Sequence, residues 1–345
     1  MITLEHNVLS IRFPEVHPDA HLSIEFQRTL RIPDDGTDYS LPPGLGPFPL
    51  QHVDDYMRSV PAQWLDHGGV ILPMYQSEAM WINFDSNYIE DHQASYPFAV
   101  KIAAGKIDAV TGDNWTNSLN FGPQNYVVVP EQPWLDGFCV EQGVIRQFVA
   151  MPLGQGYSVE EQLKDDSPIG GLQIMVYPMK RKAFEGYYPK AEIDHRVYDN
   201  RRPTMDVCYS SAPSAEMEMG LAAGGRMRQQ IYDDHYEPGD WDQSTSSRCF
   251  VHLANSESWH QITGIVPPTE APTAKEYNMA GLPWFDYYRE RPAVGGSKIL
   301  RGIKSIAAVA KEKRQPLPDN QPLAIDKVIQ LREKLRPNQV REESF

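Results

Sequence analysis

Residues 221–244, LAAGGRMRQQIYDDHYEPGDWDQS, hold the densest run of groups able to do chemistry. Gly224 and Gly225 precede Arg226 and Arg228. Backbone N–H groups exposed at a glycine turn, flanked by two guanidiniums, would hold an anion. The simpler expectation is a glycine turn feeding a strand with two solvent-facing arginines. Immediately after come Asp233, Asp234, Asp240 and Asp242, with His235 and Glu237 among them. Hard oxygen ligands at this density would suit Ca²⁺ or Mg²⁺. Their spacing is not that of an EF-hand loop, however, and Pro238-Gly239 also fits a plain solvated acidic turn.

A second stretch, MPLGQGYSVEEQL at 151–163, looks like a phosphate loop or a nucleophile elbow and fits neither. A phosphate loop needs a lysine after its glycines, the dinucleotide fingerprint needs a third glycine, and the elbow needs the serine between two glycines. Ser158 and Glu161 instead have the S-x-x-E spacing of a capping box that opens a helix. His17 and His21 are separated by Pro18, which disfavours a helical metal face. His252 and His260 read as satisfied histidines of a strand and a helix, and Cys139, between Phe138 and Val140, as a buried thiol. No cofactor motif is present, and the chain carries no catalytic signature.

The elements that would position these groups are mostly strands. LSIEFQRTLRI places Ile24, Phe26, Leu30 and Ile32 on one parity and stops at Pro33-Asp34-Asp35-Gly36. FAVKIAAGKIDAVTG reads as a hairpin bent at Ala104-Gly105-Lys106. Asp136-Gly137 is expected to make another hairpin turn. VIRQFVAM and GGLQIMVYPM are strand-length apolar runs, and CFVHLANSESWHQITG reads as a strand leading into a helix capped near Asn255. Thr273 and Glu276 form a second capping box, with Gly281 as the helix stop.

Two amphipathic helices are expected near the end. Ile299, Ile303, Ile306 and Ala310 form the stripe of one; Ile325, Val328, Ile329 and Leu335 form that of the other. The gaps between strands are too short for a doubly wound fold. The expected class is therefore mainly β, an antiparallel or mixed sandwich or open barrel, with peripheral short helices and a helical C-terminal arm. The expected divisions are a β-rich core at 1–180, an irregular segment at 181–215, a β/α continuation at 216–288 and a basic arm at 289–345.

Charge adds a constraint. The chain has 345 residues and a net charge of −14. Residues 289–345 contain 13 Lys and Arg against 7 Asp and Glu, a local +6, which leaves −20 on the rest. An acidic body disfavours nucleic acid. A basic arm would lie on that body or on a sister copy, so a homo-oligomer is expected. The aromatics Trp284, Phe285, Tyr287 and Tyr288 have the composition of an interface. The three cysteines are far apart, no signal peptide is evident and no apolar run is long enough for a membrane span, so a soluble cytoplasmic protein is expected.

Four blocks, YVVVPEQPWLDGF, VIRQFVAMPLGQGYSVEEQ, MGLAAGGRMRQQIYDD and AGLPWFDYY, together resemble a family of bacterial and fungal hypothetical proteins with no assigned activity. The likeness spans most of residues 70 to 290. It implies one soluble cytoplasmic architecture and carries over no site residues. Two functional readings follow. The first is a non-catalytic, self-assembling or scaffolding protein; the second is an enzyme, or a small-ligand or metal-binding protein, with a dispersed site.

Overall fold

The computed structural model describes residues 1–163, 168–190, 218–315 and 317–331. Its architecture is mainly β, a large and mostly antiparallel sheet that does not close into a barrel, with a few short helices. The strand Val144–Pro152 is central. It pairs along its length with Glu218–Arg228, and on its other side with Gly137–Glu141 and then Ala79–Met80. Two parallel pairings interrupt the antiparallel order. Ser247–Asn255 runs with Val70–Met74, and Glu218–Arg228 with Asp38–Tyr39.

The strand expected around residues 24–32 is His21–Thr29, with inward and outward residues alternating as its sequence implies. The hairpin bent at Gly105 is present, its arms Phe98–Ala104 and Ile107–Asp108 paired antiparallel. The helix caps also stand as expected. Ser158 Oγ accepts the Glu161 N–H at 3.2 Å while Glu161 Oε2 accepts the Ser158 N–H at 3.0 Å. Asn255 caps Ser256–Thr263, and Thr273 with Glu276 closes a capping box on Ala274–Met279.

Five local expectations are corrected. Asp136-Gly137 is not a hairpin turn: Asp136 is buried, Gly137 begins a strand opposite Gln147, and the turn falls at Gln142-Gly143. The segment from 181 opens with a helix, Arg181–Tyr187, anchored by buried Phe184 against His17, His92 and Tyr96; 191–215 lies outside the described residues. The first arm helix is two, Lys298–Arg301 and Ile306–Glu312, each capped by its own serine. Leu300 is buried and Ile299 exposed, so the stripe does not run straight through. The second arm helix is replaced by a strand. Val328–Leu331 pairs in parallel with Trp284–Tyr287, where β-branched Val328 and Ile329 fit a pleated edge.

Gly224-Gly225 is not a turn either. Both glycines lie inside Glu218–Arg228, beside a bulge opposite Arg146–Phe148. A Cβ on Gly225 would collide with the Pro33 carbonyl, and one on Gly224 with the Val149 side chain. Gly225 lets residues 30–33 cross directly against the strand, while Gly224 lets the neighbouring strand at Gln147 and Val149 lie close. Gln147, fully buried, secures that crossing: its Nε2 donates to the Leu30 carbonyl at 2.8 Å and its Oε1 accepts the Ile32 N–H at 3.1 Å.

The described part of the basic arm lies on its own body. Leu300 and Ile303 join the main core, while Ile306, Val309 and Ala310 pack on Val149, Met151 and Ala222. Charge contributes little to this contact. Arg301 approaches Glu141 at 3.5 Å, whereas Lys304 pairs with Glu312 inside the arm. Exposed pairs of this kind are each worth under about 1 kcal/mol.

Two outcomes follow. Leu300→Ala or Ile306→Ala should destabilise the protein by about 2–4 kcal/mol and make the arm sensitive to limited proteolysis, whereas raising salt should leave it protected. Gly225→Ala should cost roughly 1–3 kcal/mol in denaturant titrations, because the crossing segment cannot withdraw without losing Gln147.

Candidate functional site

The arginines expected to hold an anion are already tied to carboxylates. Arg226 Nε meets Asp38 at 2.5 Å and its terminal nitrogens meet Glu141 at 3.2 and 3.3 Å. Arg228 meets both carboxylate oxygens of Asp286 at 3.0 Å. The Arg226 hydrogen bonds hold the Glu141 carboxyl below its ordinary range, and Asp38 and Glu141 in turn hold the guanidinium proton more tightly. An anion would have to displace these partners. The arrangement laces elements together instead, and it continues through Arg146, which meets Asp34 at 3.4 Å, and through Asp34, which accepts the Ala307 N–H at 3.0 Å.

The acidic loop is likewise organised by internal hydrogen bonds. Asp234 accepts from the Tyr126 hydroxyl at 2.5 Å, the Trp241 indole at 2.8 Å and the Tyr236 N–H at 2.9 Å. Asp240 accepts from Tyr187 and from the Glu237 N–H, and Asp242 holds Ser244 and Thr245. Asp233 is exposed. Among the described residues no three His, Cys, Asp or Glu side chains are grouped to hold a metal.

The aromatic and arm residues expected at an interface divide by face. Trp284 is fully buried with Leu30, Ile32, Tyr39 and Met227, and Phe285, Tyr287 and Ile325 pack partly against that cluster. Tyr288 is 61% exposed. Val328 and Ile329, at 43% and 42% exposed, stand on a strand paired on one side only among the described residues. Leu335 lies outside the described residues. The geometry thus brings together an open backbone edge and two exposed β-branched side chains. Met279 and Leu282, also exposed, precede the inner strand Trp284–Tyr287.

Sequence reasoning missed the buried ionisable groups, which carry no local signal. Lys101 is wholly buried in an all-buried strand; its ammonium donates to the Thr116 and Ser118 carbonyls at 2.8 Å each and lies over Trp115. Burial lowers its proton affinity. Glu131, raised by burial, lies 3.4 Å from the Tyr236 hydroxyl, which meets the Tyr188 hydroxyl at 2.6 Å. These residues come from three distant segments. Burial also raises Asp108 to about 6 and Asp136 to about 7. Cys139 and Cys249 are buried free thiols, both pushed up to about 12 by burial. Among the described residues no helix is long and apolar enough to cross a membrane.

Comparison with known proteins gives no match to this chain among family models, curated proteins or solved structures.

Asp136 has a pH signature. Folded, it keeps its proton to about 7, while the unfolded side chain releases it near its ordinary 3.8. Between those values the folded state holds the extra proton, so this group's contribution to stability falls as pH rises and levels off above 7. Asp136→Asn removes that slope. In denaturant titrations it should gain on the parent protein by the order of 1–3 kcal/mol between pH 4.5 and 8; a constant difference between the two proteins would refute the assignment.

Proposed function

We propose that this protein is non-catalytic and works by association with its own copies, as a self-assembling or scaffolding body in the cytoplasm. The observation that carries this reading is the edge of Val328–Leu331, unpaired among the described residues, with its two exposed β-branched residues. Unpaired strand edges invite another strand, and folded proteins normally blunt them with charge, proline or a covering element. Here Lys327 flanks the strand, but the strand itself is Val-Ile-Gln-Leu. The same edge on a second copy would pair with it about a two-fold axis, adding backbone hydrogen bonds in the manner of strand augmentation.

Two further features support the reading. Arg226, Arg228, Asp234, Asp240 and Asp242, the anion and metal residues expected from the sequence apart from Asp233 and the two glycines, are engaged in internal hydrogen bonds and ion pairs, which weakens the enzyme alternative. The described lysines of the arm are exposed while the body is acidic, so copies that meet arm to body attract one another on approach. Of the two places expected for the arm, its own body or a sister copy, its described residues occupy the first, and in this reading the strand at its far end offers the contact between copies.

Light scattering coupled to size-exclusion chromatography tests this. The full chain should run as a dimer or larger species, and Val328→Lys with Ile329→Lys should shift it towards monomer with an unchanged circular dichroism spectrum. A parent protein that stays monomeric at high concentration removes the proposal.

A further inference from the structure

Where the arm crosses the body it closes a cleft of about 260 Å³, walled by the turn at 75–78, the loop at 270–273 and arm residues 317–319. None of the candidate site residues named from the sequence lines it. We propose that this cleft binds a short aliphatic polyamine.

The floor is rigid and electrically balanced. Glu78, 5% exposed, accepts Arg28 Nε at 2.7 Å and the Tyr75 N–H at 2.9 Å, and Arg28 also donates to the Thr269 carbonyl. Arg31, the other cation of the cleft, donates to Asn320 and to the Pro318 carbonyl. Both guanidiniums are therefore turned to protein acceptors. The rim is different. Glu270 and Asp319 are exposed carboxylates of the lining, and the Arg31 guanidinium attracts Asp319. Three carboxylates against two guanidiniums leave the cleft with a net negative charge.

Tyr75, Ala271, Pro272, Leu317 and Pro318 supply the apolar part of the lining, beside polar Thr29, Gln76, Ser77 and Thr273. Such a lining suits methylenes, and the carboxylates suit ammonium groups at their ends. The volume equals that of about nine liquid waters, which matches a chain of about ten non-hydrogen atoms and far exceeds a single metal ion. Ser77 and Asp319, on opposite walls, both hold left-handed backbone at φ 68° and 62°. Non-glycine residues in that region gather where a binding geometry is over-determined by its surroundings.

The probe is spermidine, a triamine of that length, titrated calorimetrically into the full chain at low ionic strength, with 1,8-octanediol as its uncharged counterpart. Saturable one-site binding is expected for the triamine and none for the diol. Glu270→Gln with Asp319→Asn should weaken binding at least tenfold; asparagine tolerates the left-handed backbone at 319, so the fold is kept. Asp54→Asn with Asp55→Asn, which removes the same charge from another exposed site, should bind as the parent does. Absence of saturable binding, equal weakening by both double variants, or equal binding of the diol overturns the proposal. The result is independent of association, since one copy forms the whole cleft.

Discussion

The structure depends on the close passage of residues 30–33 across the strand Glu218–Arg228. One strand glycine, Gly225, leaves room for it, and one buried amide, Gln147, satisfies the backbone groups that the crossing would otherwise strand away from water. Buried backbone groups without partners are costly, so this amide converts a steric opportunity into a fixed register. Everything downstream follows from that placement. Asp34 then reaches both Arg146 and the first turn of the helix Ile306–Glu312, Asp38 reaches Arg226, and Leu41 exchanges both backbone hydrogen bonds with Phe285.

Separation of charge along the chain therefore has a different meaning from the simplest electrostatic picture. The acidic body does not clasp the basic arm by ion pairing. Apolar side chains seat the arm, and arginines of the body are matched with carboxylates from three other segments. What remains outward is a positive arm against a negative body, a pattern that shapes encounters with other molecules more than it stabilises the fold.

Features specified within a few residues were legible in the sequence. The alternation of His21–Thr29, the bend at Gly105 and the capping boxes at Ser158 and Thr273 are local physics and appear where their residue types require them. Failures have a common cause in tertiary context. Gly224-Gly225 reads as a turn because glycine's usual role is conformational, whereas here it provides space. The 3.6-residue stripe through Ile325, Val328 and Ile329 is real, yet pairing with Trp284–Tyr287 outweighs helix propensity. Asp136-Gly137 mimics a hairpin and instead begins a strand. Lys101 could not be recognised as buried from a run such as FAVKIAA, because its ammonium is satisfied by carbonyls 15 and 17 residues away. The cleft under the arm is formed by four distant segments and has no sequence signature at all.

Leu41 meets Phe285, Tyr39 receives the Leu323 N–H and Arg31 holds Asn320, so the earliest strands are finished by some of the last described residues. Contacts this far apart in the chain are slow to close. During synthesis the N-terminal strands must wait, Leu30 and Ile32 for the strand Glu218–Arg228 and Leu41 for Phe285, until those segments have left the ribosome. A nascent chain of this protein is thus an exposed apolar surface for most of its elongation, and an obvious client for whatever shields such surfaces in the cell.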